Sequence, residues 1–490
     1  LLRVPDAGTA DRLIADKINA GNWKEHLGTS ESPFVNASTW GLMLTGRMVK
    51  IDAATMENPS RFMRKLVTRA GEPVIRAAMR QAMKIMGHQF VMGRTIAEAL
   101  KRSREGENAR YRYTFDMLGE AALTAPDAQR YFEAYCDGIA AIGEARQAGV
   151  PIHAAPSISV KLSALFPRYE FGQRARVLES LTPLLKALAV RAKAADIGLT
   201  VDAEEMDRLE ISLELFERVY RDPDLDGWKG FGLAVQAYHR RSLALVRWLI
   251  KLAQEVGREL PVRLVKGAYW DTEIKHAQEQ GHETYPVFTR KPNTDVCYLA
   301  CARELLAARP AVYCQFATHN AQTLASIVHF AGHHDGLEFQ RLHGMGEELY
   351  AEVVGPDKLG VDCRVYAPVG HHEDLLPYLV RRLLENGANT SFVNRIVDER
   401  LPVEEMVRDP VAMVSALDQV PHPRIVAPAD IFGAERRNSA GLNVADPTVL
   451  APLARRMAET MGRGHSTGPI VAGRRRDGEA TPSTDPADTR

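Results

Sequence analysis

From Tyr111 onward, short apolar or β-branched runs alternate with segments of helical periodicity. Eight of these runs predict strands, and their first residues lie 25 to 51 residues apart, which leaves room for a helix in each gap. The predicted strands are Tyr111–Leu118, His153–Ser163, Gly198–Glu205, Phe231–Ala237, Pro261–Tyr269, Val312–Asn320, Leu337–Gly344 and Asp362–Gly370.

Regular β-α alternation without a G-x-G-x-x-G turn predicts an α/β fold, a TIM-like (β/α)8 barrel at residues 106–400. A doubly wound sheet is the alternative. Residues 1–105 read as an N-terminal helical arm or domain, and residues 401–463 as a helical or linker segment with a helix at Thr448–Met461. The Gly-, Arg- and Pro-rich residues 464–490 predict disorder or the start of a further domain.

Composition excludes several classes of protein. The 490 residues carry 62 Lys or Arg and 62 Asp or Glu, and this zero net charge argues against a dedicated nucleic-acid binder. Five cysteines without a C-x-x-C pair indicate reduced thiols in a cytoplasmic protein, and no metal site is predicted. No stretch reaches the ~18 uninterrupted apolar residues of a membrane helix.

One stretch departs from the charge balance. Residues 61–104 hold eleven Lys or Arg and two Asp or Glu, a net charge of +9, with Arg76, Arg80 and Lys84 on one stripe of a predicted helix. Such a helix can lie on an anionic membrane surface, or its basic stripe can face water over a Met-rich core.

Polar residues end several of the predicted strands, where the active site of a barrel lies. They do not help the packing there, so they indicate a site. They stand in the runs Ser159–Ser163, Val201–Glu205, Val235–Ala237, Arg263–Trp270, Ala317–Asn320 and Tyr366–Pro368.

The fifth strand carries the clearest of these signals. Alternation puts Arg263 on one face and Lys266 on the other, which core packing alone does not explain. The small Gly267–Ala268 would let a flat ligand approach the backbone, and Tyr269–Trp270 could stack on it.

A predicted eighth helix, Glu373–Asn386, carries Tyr378, Arg381, Arg382 and Glu385 on one face. Two adjacent guanidiniums suit a small carboxylate, which they can grip with forked donors. The alternative is a surface ion pair between Arg381 and Glu385, which would contribute little.

Three weaker signals stay open. His319 can contact a ligand or hydrogen-bond within the core. Gly344–Gly346, after the seventh strand, is either a tight turn or a phosphate site of the kind common in barrels. The pairs His333–His334 and His371–His372 are poor metal ligands because neighbours on a strand or helix point apart.

Two long segments resemble a known family. Residues 263–271, RLVKGAYWD, resemble the flavin-binding strand of proline dehydrogenases, and residues 378–389, YLVRRLLENGAN, resemble their substrate-binding eighth helix. The likeness spans residues 30 to 430 and is strongest to the proline dehydrogenase part of the bifunctional bacterial proline utilization A enzymes. It implies a distorted (β/α)8 barrel that holds FAD.

The resemblance implies a role for each matching residue. Arg263 would sit near the flavin N5 and act in catalysis with Lys161 and Tyr269, while Glu120 would face Arg381 as a gate. The implied substrate pocket is Lys161, Asp202, Tyr366, Arg381, Arg382, Glu385 and Glu120, with both arginines on the proline carboxylate. The implied FAD site is Asp202, Gln236, Arg263, Val265, Lys266, Gly267, Ala268, Trp270, Thr289, Arg290, Lys291, Thr318, His319 and Asn320.

The activity implied by the resemblance is the oxidation of L-proline to 1-pyrroline-5-carboxylate. A hydride would pass from proline C5 to the flavin N5, and the electrons would go on to ubiquinone or a similar quinone. This implies a cytoplasmic protein that can associate peripherally with the inner membrane face, and it leaves homo-oligomer formation open. The alternatives are an FMN barrel oxidoreductase acting on a small carboxylate and a non-catalytic scaffold.

Members of the resembled family also carry other domains. The bifunctional enzymes continue into an aldehyde dehydrogenase, of which residues 464–490 look like the opening stretch, so we expect only the first oxidation here. Some members begin with a DNA-binding ribbon-helix-helix. We identify no such pattern in this sequence and expect no nucleic-acid partner.

Overall fold

A computed structural model describes residues 90–371, 377–378, 380–382, 407–461 and 468–479, with residues 9, 402, 404, 463 and 466. Most of the predicted N-terminal arm and its basic helix, and Glu385, lie outside the described residues. The chain divides into two compact units, Leu1–Gly441 and Leu442–Arg490.

The first unit contains a closed barrel of eight parallel strands in sequential order. Strand β1 pairs with β8, with Asp116 opposite Pro368, and this pairing closes the ring. The strands are β1 Arg112–Met117, β2 Ser157–Val160, β3 Gly198–Val201, β4 Phe231–Gln236, β5 Leu260–Val265, β6 Val312–Ala317, β7 Leu337–Leu342 and β8 Cys363–Val369. The predicted TIM-like (β/α)8 barrel is therefore confirmed.

Helices connect the strands, and further helices precede β1 and follow β8. In the first unit they are α1 Ile96–Ser103, α2 Ala125–Ala145, α3 Arg174–Ala194, α4 Leu209–Tyr220, α5 Ser242–Val256, α6 Trp270–Glu279, α7 Lys291–Ala307, α8 Ala321–Ala331, α9 Glu347–Ala351 and α10 Pro410–Ser415. Residues 377–378 and 380–382, which follow β8, are also helical, and we call them the post-β8 helix.

The predicted strands overrun the observed ones at their carboxyl ends. Strand β2 ends at Val160 and β3 at Val201, whereas the sequence predicted continuation to Ser163 and Glu205. The polar residues past these ends leave the ladder because they turn toward the mouth of the barrel. Two of these residues, Lys161 and Asp202, contribute to the site described below.

The barrel interior is polar along much of its length. At the amino-terminal end, Glu338 is fully buried and receives hydrogen bonds from Arg364 Nε at 2.6 Å and from Gln315 Nε2 at 2.9 Å. Arg112 also donates to it, at 3.3 Å. Because the arginines neutralise its charge, the pKa of Glu338 lies below its usual value in spite of burial.

The second unit holds helix α11, Pro447–Met461, and a two-stranded antiparallel hairpin, β9 Ile470–Val471 with β10 Arg474–Arg475. The sequence predicted the helix within one residue of its start, but it predicted no regular structure for the hairpin. Among the helices that the structure describes, none is long and apolar enough to span a bilayer.

Candidate active site

Three strands meet at Asp202, directly after β3. Its Oδ1 accepts a hydrogen bond from Arg263 Nη1 on β5 at 2.5 Å, and its Oδ2 accepts one from the Tyr366 hydroxyl on β8 at 2.7 Å. Arg263 also donates to Ser159 Oγ at 3.0 Å. The parallel barrel brings these carboxyl ends together although the residues are far apart in sequence.

Lys161 completes this central cluster from the end of β2. Its ammonium donates to Asp116 Oδ1 at 2.8 Å and to the Tyr366 hydroxyl at 3.1 Å, and it lies 3.5 Å from Asp202 Oδ2. The side chains of Lys161 and Arg263 are 7% and 4% exposed, and that of Asp116 is fully buried. Two carboxylates thus face two cations in a site that water hardly reaches.

Burial and pairing act against each other in this cluster. Burial raises the pKa of Asp116 above its usual value although Lys161 opposes it. Burial alone would lower the pKa of Lys161, but Asp116, Tyr366 and Asp202 outweigh it and hold that pKa well above its usual value. Lys161 is therefore an ammonium, able to donate hydrogen bonds but not to accept them.

A second ion pair lies at the mouth of the barrel. Arg381 on the post-β8 helix donates to the two oxygens of Glu120 at 2.6 and 2.8 Å, and its guanidinium lies 5.0 Å from the centre of the Tyr269 ring. Burial would raise the pKa of Glu120, but the hydrogen bonds and charge of Arg381 hold it below its usual value. Both terminal nitrogens of Arg381 thus donate to a carboxylate of the same chain, that of Glu120.

The loop that carries Glu120 is held in a strained shape. Gly119 has φ +148°, and a Cβ on it would lie 2.3 Å from the Tyr131 ring, so only glycine fits. Ala121 has φ +49°, which is uncommon for a non-glycine residue. Its N–H donates to Ser163 Oγ at 2.9 Å, which fixes this backbone.

Glu204 supports the same loop from the other side. The Ser163 N–H donates to Glu204 Oε2 at 3.0 Å, the Ser163 hydroxyl donates to Oε1, and Arg208 donates to Oε1 at 3.2 Å. Burial outweighs these donors and raises the pKa of Glu204 to about 7. This carboxyl therefore titrates near neutral pH.

Arg382 neighbours the pair at the mouth. It is 7% exposed, and its guanidinium lies 5.0 Å from the centre of the Tyr378 ring. The structure thus brings Lys161, Asp202, Arg263 and Tyr366 into one cluster, and Glu120, Tyr269 and Arg381 into another.

The predicted flavin residues of β4 and β5 make mostly internal contacts. Gln236 donates to the Glu204 carbonyl at 2.8 Å and faces the Ala268 N–H at 3.4 Å, and Lys266 pairs with Asp295 on α7. Val265 is the last residue of β5. These contacts fix side chains at the carboxyl edge of the sheet.

Gly267 is required by its backbone angle and by a neighbouring ring. Its φ is +132°, and a Cβ there would lie 2.3 Å from the Tyr238 ring. Only glycine satisfies both the backbone angle and the close ring.

The remaining predicted flavin residues gather at two helix starts. Thr289–Lys291 lead into α7, and Thr318–Asn320 lead into α8, where Asn320 caps the helix by accepting from Thr323 N at 3.0 Å. Helix N-termini favour anions such as a phosphate group. The buried Arg263 Nε has no hydrogen-bond partner among the described residues. A donor at the cluster and two anion-favouring helix starts fit a flavin nucleotide.

The structure gives a hydrogen bond of His319 and the backbone shape of Gly344–Gly346. The His319 Nε2 accepts a hydrogen bond from Leu342 N at 3.1 Å, a partly buried contact between the segment after β6 and the end of β7. Gly344 and Gly346 have φ of +76° and +69°, and the Met345 N–H bonds back to the Leu342 carbonyl. A tight turn leads into α9, as one of the two readings predicted.

A segment far along the chain crosses the residues before α7. We call residues 419–426 the strap. Arg290 donates to the carbonyls of Gln419, Val420 and Pro421 at 3.1 to 3.3 Å. Thr289 Oγ1 accepts from His422 N at 2.9 Å.

The strap is anchored at a third place. The Tyr285 hydroxyl donates to the Val426 carbonyl at 2.6 Å, and Ile425 packs on the cluster around Tyr285. Trp270 reaches the same loop, because its Nε1 donates to the Phe288 carbonyl at 2.7 Å. The Arg290 guanidinium is thus engaged by main-chain carbonyls.

Sequence reasoning missed Asp116. The signal was present, because Asp116 is a carboxylate between the apolar Phe115 and Met117 of a predicted strand. Among the described residues, no group of three or more His, Cys, Asp or Glu is placed to hold a metal ion.

Comparison with known proteins places this geometry in context. Residues 99–395 match the family model described as proline dehydrogenase. Over 502 residues the chain is 52% identical to the bifunctional protein PutA of Salmonella typhimurium, covering 100% of this chain and 38% of that protein. It is 28% identical to proline dehydrogenase 1 of Bacillus subtilis over 63% of this chain and 90% of that protein.

A solved structure agrees with the fold. A variant of proline utilization A (PutA) from Bradyrhizobium japonicum aligns with a TM-score of 0.73 and 48% identity, over 94% of this chain and 46% of that one. The chain spans less than half the length of these long relatives.

One expectation is wrong. Residues 1–90 match the family model described as the DNA-binding domain of proline dehydrogenase, which contradicts the expected absence of a nucleic-acid partner. The zero net charge misled because an average over 490 residues hides a local excess of +9 at residues 61–104. Much of that basic stretch lies inside the matched region.

Proposed function

Because this chain belongs to the proline dehydrogenase family, we propose that it oxidises L-proline to 1-pyrroline-5-carboxylate with a bound FAD. The reaction removes a hydride from C5 and a proton from the ring nitrogen, so a C=N bond forms and two electrons leave the substrate. This is the first oxidation of proline toward glutamate.

The two helix starts and the central cluster are the residues proposed to hold FAD. Thr289–Lys291 and Thr318–Asn320 would receive the diphosphate end, and Arg263, Lys266 and Gln236 would line the ring system. A bound flavin would accept the hydride and its electron pair, which no side chain can do. Arg263 would stabilise negative charge that develops beside it.

The ion pair at the mouth supplies the binding site for the substrate carboxylate. In support, the Arg381 guanidinium donates to both oxygens of the Glu120 carboxylate in a forked geometry. Arg382 is the next residue and is buried. A proline carboxylate would displace Glu120 from Arg381, and the released Glu120 would leave the mouth open during binding.

The central cluster fixes charge beneath that site. Asp202, Lys161 and Arg263 are held by direct contacts before any substrate arrives. Such preorganised groups need not reorient during the reaction. The observation that carries the proposal is this arrangement: Arg381 binds the Glu120 carboxylate at the mouth of the barrel, and a buried, charged cluster lies at the same end.

We propose ubiquinone or a similar quinone as the electron acceptor, reached by peripheral association of a cytoplasmic protein with the inner membrane face. The support is the family alone. Sedimentation with liposomes containing quinone, before and after reduction by proline, tests this part. Reduced protein that neither sediments nor passes electrons to the quinone would contradict it.

An anaerobic titration with L-proline, followed by visible absorbance, tests the central proposal. We expect a yellow protein that bleaches with L-proline and recovers its colour when a quinone is added. Mass spectrometry of the released flavin distinguishes FAD from FMN. A yellow protein that ignores proline would overturn the substrate, and a protein that stays colourless with added FAD would overturn the cofactor.

A further inference from the structure

Asp116 lies in β1 with its side chain inside the barrel, and it is 0% exposed. Of the two carboxylates near the Lys161 ammonium, Asp116 is the closer, at 2.8 Å against 3.5 Å for Asp202. Asp202 already accepts from Arg263 and from Tyr366. Lys161 therefore depends on Asp116 for its charge partner.

The contacts of Lys161 set the direction of a hydrogen-bond chain. An ammonium can only donate, so the Tyr366 oxygen must accept from Lys161. The single Tyr366 hydrogen is then directed to Asp202, at 2.7 Å. The chain thus runs from Asp116 through Lys161 and Tyr366 to Asp202, and Arg263 meets it from the other side.

We propose that Asp116 is a positioning residue for the oxidation of proline, which acts by holding the Lys161 ammonium so that Tyr366 and Asp202 keep one fixed hydrogen-bond arrangement. This inference rests on the proposed function. Asp116 lies outside the ion pair at the mouth, where Arg381 contacts Glu120 and Tyr269.

Loss of Asp116 leaves the buried Lys161 ammonium with a more distant carboxylate, Asp202 at 3.5 Å, whose oxygens already accept from Arg263 and Tyr366. Breaking a buried ion pair from one side costs more than removing the whole pair, because one charge stays uncompensated. The ammonium would then move toward Asp202, where it competes with Tyr366 and Arg263 for the same oxygens. Charge and hydrogen-bond direction in the cluster would both change.

A double-mutant cycle on the flavin-loaded chain tests the inference. The variants are Asp116→Asn, Lys161→Met and the double variant, each assayed for proline oxidation at saturating and limiting proline. We expect Asp116→Asn to lower kcat by about tenfold or more, with little change in KM, because the carboxylate site at the mouth is intact. In the Lys161→Met background, Asp116→Asn should have no further effect on kcat.

The double-mutant cycle remains informative even if one single variant does not fold. If Asp116→Asn alone does not fold, the double variant should, because it leaves no unpaired ammonium. Its kcat is then compared with that of Lys161→Met. Equal rates support action through Lys161, and a further drop of threefold or more in the double variant would overturn it.

The pH profile supplies a readout that a merely structural role would not change. Lys161 is faced by Asp116 on β1, Asp202 after β3 and Tyr366 on β8, while the Tyr135 hydroxyl on α2 accepts from its backbone N–H and Glu120 lies nearby. Without Asp116, burial lowers the pKa of Lys161 with less opposition. We expect a new loss of kcat at alkaline pH in Asp116→Asn, and an unchanged profile would overturn the inference.

Glu338→Gln is the matched control. It also removes a fully buried carboxylate with a cationic partner, Arg364, but at the amino-terminal end of the barrel. It should lower stability while the folded protein keeps the wild-type kcat and pH profile. A wild-type chain that does not oxidise proline would overturn the proposed function, whereas an active wild type with an equally active Asp116→Asn would overturn only the role of Asp116.

Discussion

Arg381 and Glu120 are joined by two hydrogen bonds of 2.6 and 2.8 Å, one from each terminal nitrogen of the guanidinium. They stand 261 residues apart in sequence. This forked contact has the geometry that a substrate carboxylate would need. An internal group thus occupies the site that the substrate is proposed to take.

Replacement of Arg381 should weaken substrate binding more than it slows the reaction. In Arg381→Met we expect KM for L-proline to rise by about 10- to 100-fold, because a small substrate loses a forked, charge-assisted contact. Steady-state kinetics on flavin-loaded protein measures this. Arg247→Met, which removes a surface arginine paired with Glu304, is the control and should leave KM unchanged. An unchanged KM in Arg381→Met would remove Arg381 from the carboxylate site.

Removal of the Glu120 charge should have the opposite effect on binding. In Glu120→Gln the substrate carboxylate competes with a neutral amide instead of a carboxylate, so we expect KM for L-proline to fall several-fold. Isothermal titration with a small monocarboxylate such as acetate measures the same competition without turnover. Glu133→Gln on α2 is the control. Weaker binding in Glu120→Gln would show that Glu120 helps to bind the substrate.

Gly267→Ala should disturb the site through Tyr238. The added methyl would meet the ring at 2.3 Å and would also suffer the positive φ of +132°. Gly257→Ala, with φ +69° and open space around it, imposes the backbone cost alone. We expect Gly267→Ala to lose bound flavin at least tenfold more readily than Gly257→Ala, measured as flavin released on dilution. Equal retention would mean that Tyr238 moves without consequence.

Two buried carboxyls should make stability fall as pH rises toward neutrality. Burial raises the pKa of Glu204 and of Glu273 to about 7. The folded state then holds protons that the unfolded state releases above about pH 4.5, so stability is lost between about pH 4.5 and 7.

Glutamine variants isolate this effect. Glu204→Gln keeps the shape of the protonated form, and we expect it to reduce the stability loss across that window by about 1–3 kcal/mol. Unfolding in urea at about pH 4.5 and about pH 7.5, which span that window, measures the difference. Glu133→Gln, at an exposed site, should leave the slope unchanged. If Glu204→Gln also left it unchanged, Glu204 would be ionised throughout the window.

The barrel could be predicted from sequence because every strand has the same surroundings. Each is a short apolar run followed by polar residues and a helix, so the count of eight and most strand starts are local information. The strand ends were less well predicted. Residues such as Ser163 and Glu204 leave the ladder for contacts with other loops, and these contacts depend on the closed barrel.

The site was predictable in its residue types rather than in its contacts. The charges of Arg263 and Lys266 marked β5 from sequence alone, and the resemblance identified Arg381 and Glu120. No local pattern relates Asp116 to Lys161, or the main chain at Gln419 to Arg290. Those partners become neighbours only through strand order and through a segment that returns across the barrel.

The strap also determines when, during synthesis of the chain, the contacts before α7 can be completed. Arg290 and Gln419 are 129 residues apart. Tyr285 can likewise contact Val426 only after Val426 has been synthesised. A ribosome adds about 5–20 residues per second, so the loop before α7 is made on the order of 10 s before its partners emerge. Barrel closure can precede this step, but the proposed flavin edge stays incomplete until then. If FAD binds at the proposed site, its binding edge is completed only after this region has been synthesised.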